Sequence, residues 1–283
     1  MKKENDIRVE MFRVVGDFAP LVQVYYLDKN AQEHTGLLLL DSGSNENILC
    51  GYISCRLGQN CMIEGKKGRV FTTSGDYQSL DYMNFSFAFG GQQFSEVFGV
   101  CDMNLPKLVG NLQIIGIIGI EFMQRHQLVI DYSDFTIHTS DVSHDNLITS
   151  DCDFFTPMAI GLKYYNMPLV FMYQNGKEIM VLADTGASNN VLASQTIEDN
   201  SIECNYLEST DIIRGMAGNV VAKEAMVNFN LLTMKGDHVE ALSHHDMFKV
   251  FPCYIYTPED GMCDEEGEQL PPIEGIKAIK THK

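Results

Sequence analysis

Short apolar stretches separated by polar turns make up the hydrophobic pattern of this 283-residue chain. Runs rich in Val, Ile, Leu, Phe and Tyr occupy residues 20–26, 37–40, 85–89 and 128–132. Turn-forming pairs lie between such runs, and Asn175-Gly176 is typical of a two-residue hairpin turn. No long stretch repeats its apolar residues with the 3.6-residue period of a helix. The pattern therefore predicts an all-β chain built as a sandwich or a barrel.

The chain also contains an internal repeat of one apolar–acidic motif. Residues 37–49 read LLLLDSGSNENIL, and residues 180–192 read MVLADTGASNNVL. Aligning Asp41 with Asp184 sets an offset of 143 residues between the two copies. Repeats of this kind indicate that one structural unit occurs twice.

Further landmarks follow the same alignment on both sides of the motif. Pro-Leu-Val at residues 20–22 is echoed by Pro-Leu-Val at residues 168–170. Gly75 and Gly218 each lie 34 residues after the aligned aspartate of their copy. Because the landmarks keep one order, we predict a duplicated chain with two domains: an N-terminal lobe, residues 1–147, and a C-terminal lobe, residues 148–283.

Each copy of the motif describes a buried strand that ends in a carboxylate on a tight turn. Burying an acid costs several kcal/mol unless it is paired or hydrogen-bonded. A single copy is explained by an aspartate that caps its own turn. Two copies allow Asp41 and Asp184 to face each other across a pseudo-twofold axis. Two close carboxylates cannot both ionise, so one would keep a proton while the other acts as a base.

These residues resemble the signature of the retropepsin-like aspartic proteases (clan AA). Asp41-Ser42-Gly43-Ser44 and Asp184-Thr185-Gly186-Ala187 match the family's Asp-[Thr/Ser]-Gly-[Ser/Ala] motif. Ile117-Ile118-Gly119 is similar to the hydrophobic-hydrophobic-Gly strand that crosses behind the catalytic loop of that family. Residues 128–132, Leu-Val-Ile-Asp-Tyr, look like its closing strand.

The resemblance implies a duplicated acid-protease barrel, with two pseudo-twofold lobes and the active cleft between them. It also implies an aspartic-type endopeptidase, a hydrolase in which Asp41 and Asp184 hold one catalytic water without any cofactor or metal. A peptide or protein substrate would lie extended across the cleft. Supporting and substrate-covering roles fall on the residues that match the family's motifs: Ser42, Gly43, Ser44, Thr185 and Gly186 around the dyad, and Gly75, Tyr77 and Gly218 in the two flaps.

The two motifs differ at the residue after the glycine. The hydroxyl of Ser44 can donate a hydrogen bond to Asp41, whereas Ala187 offers no such donor to Asp184. Hydrogen bonds to the ionised form lower the pKa of a carboxyl group. We therefore expect Asp41 to be the ionised partner and Asp184 the protonated one.

The second copy departs from the pattern near its end. After two prolines it reads IEGIKAIKTHK, which places Lys277 where the first copy has Ile118 and leaves nothing to match residues 121–138, which include the closing strand. We therefore expect the C-terminal lobe to lack its last strand. Three explanations stay open: a truncated gene, a degenerate half that only supports the first, or completion by a strand of another chain in a homodimer. A non-catalytic peptide-binding or scaffold protein derived from a protease is the alternative function.

Composition narrows the classes of partner. The chain carries 20 Lys and Arg against 38 Asp and Glu, a net charge of −18. Such a field repels nucleic acid and anionic membrane surfaces, so neither is an expected partner. The longest apolar run, residues 114–120, is far short of the ~20 residues of a membrane-spanning helix.

The remaining candidate chemistry is weak. The eight cysteines form no Cys-x-x-Cys pair, and no secretory signal is visible, so we expect reduced thiols in a cytoplasmic protein. His244-His245-Asp246 lacks a third metal ligand at a recognisable spacing. No glycine-rich phosphate-binding motif is present. We therefore predict neither a metal site nor a cofactor.

Overall fold

Strands predominate in the computed structural model, which describes residues 7–12, 19–71, 77–103, 109–132, 135–139, 169–215, 218–235 and 238–251. The strands in chain order are β1 (Arg8–Glu10), β2 (Leu21–Leu27), β3 (Glu33–Asp41), β4 (Ile48–Cys50), β5 (Met62–Phe71), β6 (Tyr77–Phe89), β7 (Gln92–Cys101), β8 (Ile114–Gly119), β9 (Leu128–Asp131), β10 (Thr136–Thr139), β11 (Leu169–Gln174), β12 (Lys177–Leu182), β13 (Asn190–Ala193), β14 (Cys204–Gly215), β15 (Gly218–Lys235) and β16 (His238–Phe251). The helices of the described residues are short: α1 (Gly51–Leu57), α2 (Ile120–Arg125), α3 (Ser194–Asn200) and one 3-10 turn (Gln59–Cys61). The prediction of an all-β chain is confirmed.

Six strands of the first half close into a barrel, which we call the N-terminal barrel (β2–β4 and β6–β8). Their order is β2-β3-β8-β4-β7-β6, and the pairing of Tyr25 with Ala88 returns β6 to β2. Strand β5 extends the sheet outside the ring by pairing with β6. The β3–β8 and β4–β7 ladders are parallel. A closed ring satisfies the backbone hydrogen bonds that an edge strand would leave open.

Strand β8 is buried along its whole length in the barrel. Its six residues, Ile114–Gly119, are all buried, and it lies between β3 and β4. A Cβ atom on Gly116 would lie 2.2 Å from the backbone oxygen of Ile48. Glycine is therefore required where β8 pairs with β4, because no side chain fits between the two backbones.

Aromatic side chains fill the barrel interior. Phe85, Phe87 and Phe89 alternate along β6 and point inward, as the two-residue period of a strand requires. Phe98 from β7 meets Phe85 edge-to-face at a centroid distance of 5.3 Å, and Phe122 from α2 joins the same cluster. The barrel therefore has a core of its own.

Strands β11–β16 form a second sheet, which we call the C-terminal sheet. Its order is β12-β11-β15-β16-β13, with β14 paired to β15. The corresponding barrel strands follow the same order, β3-β2-β6-β7-β4, with β5 on β6. A separate cluster of buried side chains packs this sheet: Met172, Ile179, Leu192, Ile197, Ile202, Ala225, Val227, Phe248 and Val250.

The two sheets differ at one place. In the barrel, β8 lies between β3 and β4, whereas among the described residues no strand lies between β12 and β13. The segment in which we expect a strand to be missing, residues 252–283, lies outside the described residues. So does the predicted boundary between the domains at residues 147 and 148.

Smaller features complete the described architecture. A three-stranded sheet of order β1-β10-β9 flanks the barrel. Asn175 and Gly176 both have positive φ, 51° and 78°, so the predicted two-residue hairpin turn between β11 and β12 is confirmed. None of the helices in the described ranges combines the length and the apolar character needed to cross a membrane. The described cysteines are free thiols: Cys50, Cys55, Cys61, Cys101 and Cys204.

The contact of Gly116 with β4 leads to a stability prediction. Gly116→Ala forces the two backbones apart, and we expect the free energy of unfolding to fall by at least about 1–3 kcal/mol in urea titrations. The matched control is Gly91→Ala, because an added Cβ on Gly91 has nothing within 4 Å. This variant should lose stability only because alanine disfavours the positive φ of 80°. Equal losses of stability in the two variants would contradict the close approach of Gly116 to the backbone of β4.

Candidate active site

The two repeated motifs form a pair of similar loops. Asp41 ends β3, and Asp184 follows the end of β12. In each loop the backbone N–H two residues later donates to the aspartate: Gly43 N to Asp41 Oδ1 and Gly186 N to Asp184 Oδ1, both at 2.8 Å. The same local hydrogen bond therefore orients both carboxylates.

The structure brings these two carboxylates into contact across the two loops. A Cβ atom on Gly43 would lie 2.5 Å from Cγ of Asp184, and one on Gly186 would lie 2.4 Å from Cγ of Asp41. The side chains of Asp41 and Asp184 are close enough to share a hydrogen bond. Both glycines are therefore required by the approach of the opposite aspartate.

Reciprocal hydrogen bonds from Ser42 and Thr185 hold the loops together. The Thr185 hydroxyl donates to Leu40 O at 2.8 Å and accepts from Ser42 N at 3.0 Å. The Ser42 hydroxyl donates to Ala183 O at 2.6 Å and accepts from Thr185 N at 2.9 Å. Each hydroxyl thus bonds the backbone on both sides of the opposite aspartate. We call this set of four hydrogen bonds the interloop brace.

The environments of the two aspartates are unequal. Burial raises the pKa of Asp41 well above its usual value, and the charge and the hydrogen bond of Asp184 raise it further. The backbone N–H groups of Gly43 and Ser44 oppose this shift without cancelling it. This direction favours the protonated form of Asp41, whereas the sequence led us to expect its ionised form; the sharing of the proton between the two aspartates stays a prediction.

The Ser44 hydroxyl does not make the hydrogen bond to Asp41 that the sequence led us to expect. It donates to the backbone oxygen of Glu46 at 2.8 Å and not to the carboxylate of Asp41. The carboxylate of Glu46 in turn accepts from the hydroxyl of Tyr82, at 2.8 and 2.9 Å to its two oxygens. Ser44 therefore stabilises the loop and supplies no side-chain donor to the dyad.

The end of β8 supports the Asp41 loop through hydrogen bonds from its backbone. Gly119 N donates to Asn47 Oδ1 at 2.9 Å, and Ile120 N donates to Ser44 O at 2.8 Å. A Cβ atom on Gly119 would lie 2.7 Å from Glu46 O, so the close approach again requires glycine. The Ile-Ile-Gly segment thus lies directly beneath the loop, between β3 and β4.

The predicted flap residues are only partly covered by the described structure. Gly75 lies outside the described residues. Tyr77 begins β6, with its backbone opposite Phe71 of β5. Gly218 begins β15 opposite Gly215, at the end of the β14–β15 hairpin. Both repeats therefore carry a hairpin at the predicted place, and contact of either hairpin with a substrate stays a prediction.

Sequence reasoning missed the polar residues that support the first loop. Glu46 and Asn47 lie within the recognised motif, so their position in the repeat was the available signal. Tyr82 carried no signal, because its link to Glu46 joins residues 36 apart in the chain.

Within the ranges described, no three His, Cys, Asp or Glu side chains are grouped as metal ligands. His244 and Asp246 are 3.9 Å apart on β16.

Comparison with known proteins adds no assignment. No protein-family model matches the chain, and no curated protein matches it. We therefore infer the function from the geometry of the two loops.

The interloop brace predicts a specific loss of stability. Thr185→Val keeps the shape of the side chain but leaves Ser42 N and Leu40 O without their partner, and each unsatisfied group costs about 1–3 kcal/mol. We expect the free energy of unfolding to fall by about 2–4 kcal/mol in urea titrations. The control is Thr210→Val at an exposed position of β14, which should change it little. Similar small effects at both sites would contradict a structural role for the brace.

The raised pKa of Asp41 predicts a pH-dependent stability. The unfolded aspartate loses its proton near pH 3.8, whereas the folded one retains it to higher pH, so wild-type stability falls as pH rises through this window. Asp41→Asn removes this term. The variant's melting temperature should therefore gain on that of the wild type as the pH rises above 3.8, by about 2–4 °C for each kcal/mol of stability that the wild type loses.

The matched control for this experiment is Asp81→Asn, which removes an exposed carboxylate from β6. The difference in melting temperature between Asp81→Asn and wild type should vary less with pH than the difference between Asp41→Asn and wild type. Parallel pH profiles for wild type and Asp41→Asn would show that Asp41 is not buried as described.

Proposed function

We propose that the protein is an aspartic endopeptidase of the retropepsin-like kind, acting through Asp41 and Asp184. The observation that carries the proposal is the contact of two carboxylates on similar loops joined by the interloop brace. Bringing two acids together is unfavourable, so a structure that holds them in place needs a chemical reason. A shared proton on a carboxylate pair provides one, because it supplies an acid and a base in one site.

We further propose that the N-terminal barrel and the C-terminal sheet are the two lobes of a duplicated acid-protease fold. Their strands follow the same order, and each contributes one aspartate from the loop after its second strand. The parallel pairing of β13 with β16 repeats that of β4 with β7. The cleft would then lie along the line where the two loops meet.

We assign the acid role to Asp41, because burial raises its pKa and favours its protonated form. A water held between the carboxylates attacks the carbonyl carbon of the scissile peptide and gives a proton to the Asp184 carboxylate. Asp41 donates its proton to the carbonyl oxygen, which produces a neutral tetrahedral gem-diol. Collapse of this intermediate returns a proton to Asp41 and passes one from Asp184 to the leaving nitrogen. The dyad thus regains its starting state, and no covalent enzyme intermediate forms.

The geometry of the dyad favours an extended peptide or protein substrate. A peptide crossing the two loops would pass between the β5–β6 and β14–β15 hairpins, which occupy the same place in the two sheets. A homodimer stays a prediction. It would supply, from a second copy, the last strand that the C-terminal lobe is expected to lack.

The dyad predicts that Asp41 and Asp184 act as one unit. Asp41→Asn and Asp184→Asn should each lower kcat/KM for an unfolded protein or peptide substrate by about 10³-fold or more, because neither carboxyl group alone supplies both acid and base. The double variant should be no worse than either single one. Cleavage is followed by chromatography of the fragments, with Asp81→Asn as the control that keeps wild-type turnover.

Two results would contradict this function. Wild-type turnover in Asp184→Asn would exclude a dyad within one chain. Absence of cleavage between about pH 3 and pH 8, together with measurable peptide binding, would instead support the non-catalytic peptide-binding or scaffold protein.

A further inference from the structure

A buried lysine lies in the C-terminal sheet, outside the chemistry of the dyad. Lys249 of β16 is 6% exposed, and its ammonium donates a hydrogen bond to the carboxylate of Asp211 in β14. Lysine is almost never fully buried unless it is paired. An ion pair with a buried member is costly to form, so its position in the fold is informative.

The pair joins two strands that are not neighbours. Strand β15 lies between β14 and β16, where Asp211 is opposite Ala222 and Lys249 is opposite Glu224. The two side chains therefore meet across β15. This contact ties the outermost strand of the hairpin to the body of the sheet, in addition to the backbone ladder.

This hairpin packs against the strand that follows the Asp184 loop. Val191 of β13 is opposite Lys249 in the parallel β13–β16 ladder. Ile213 of β14 lies with Val191, Ala193 and Ala222 in one small apolar cluster. The ion pair therefore lies beside the contact between the hairpin and β13.

The N-terminal barrel has no charge at the place of the lysine. Ile48 of β4 is opposite Gly99 of β7, as Val191 is opposite Lys249. Gly99 therefore corresponds to Lys249. A Cβ atom on Gly99 would lie 2.8 Å from Cδ1 of Leu80, so an apolar side chain already fills this space in the barrel.

The barrel also differs from the C-terminal sheet at the position of Asp211. Gly68 is opposite Leu80 in the β5–β6 ladder, as Asp211 is opposite Ala222 in the β14–β15 ladder. A Cβ atom on Gly68 would lie 2.2 Å from the hydroxyl of Tyr82, which is buried there. The barrel thus holds its hairpin by packing a large side chain where the C-terminal sheet uses an ion pair.

We propose that Lys249 and Asp211 are positioning residues that fix the β14–β15 hairpin against β16 on the Asp184 side of the site. The contribution of this hairpin to substrate binding rests on the proposed endopeptidase function; the ion pair as a tether does not. Asp211 is half-exposed, with 51% of its side chain accessible. The tether therefore has one end in water, and its loss frees the hairpin without opening the sheet core.

Hydrogen exchange tests the tether without reference to activity. In Asp211→Asn, amides of residues 208–213 and 221–226 should exchange about tenfold faster or more, while those of the barrel hairpin keep their wild-type rates. The matched control is Asp81→Asn, which removes the exposed pair of Lys67 and Asp81 between β5 and β6. It should leave exchange in both hairpins unchanged. Wild-type exchange in Asp211→Asn overturns the tether, whether or not the protein is an enzyme.

Kinetics on a cleaved peptide test the positioning role. Asp211→Asn should raise KM about five- to tenfold and leave kcat within about twofold, because the dyad itself is untouched. Lys249→Arg keeps the charge and should stay near wild type, whereas Lys249→Met should behave like Asp211→Asn. Faster exchange with an unchanged KM overturns the positioning role. If wild type cleaves no peptide, the proposed function fails, and the exchange result still decides the tether.

Discussion

The interloop brace is the interaction on which the rest of the site depends. Two carboxylates in contact repel each other when both are ionised, and burial makes the charge of Asp41 costlier still. The hydroxyls of Ser42 and Thr185 hold the loops together by bonding to the backbone on either side of the opposite aspartate. Because these bonds join residues about 143 positions apart, they also link the two repeats of the chain. The fold can therefore keep an acid pair together only where both motifs are present.

The two repeats share a strand order but differ in how they are finished. The N-terminal barrel closes through β8 and the pairing of β6 with β2, and a cluster of phenylalanines fills it. The C-terminal sheet has a smaller core and uses the charged pair of Lys249 and Asp211 where the barrel uses Tyr82. This difference reaches the site itself. Strand β8, Asn47 and Glu46 hold the Asp41 loop in place. The pKa of Asp41 is raised mainly by burial.

Much of this arrangement could be predicted because it is encoded locally. The apolar runs identify β2, β3 and β9, Asn175-Gly176 identifies a hairpin turn, and the two Asp-[Ser/Thr]-Gly motifs identify the loops. The inference about Ser44 failed for a related reason. The Ser44 hydroxyl has several acceptors within reach in its loop, and it donates to the backbone oxygen of Glu46. Sequence spacing limits the possible partners but does not choose among them.

The sequence by itself determined that the chain is all-β, that it repeats one motif, and that each copy places an aspartate at the end of an apolar strand. Tertiary structure alone decided that the two carboxylates touch, that burial favours the protonated form of Asp41, and that the barrel packs Tyr82 against Gly68 where the C-terminal sheet has the ion pair of Lys249 and Asp211. The physical reason is the range of the interactions. Strand periodicity and turn preference act between neighbours in the chain, whereas burial, charge coupling and hydrogen bonds across loops depend on residues that only the fold brings together.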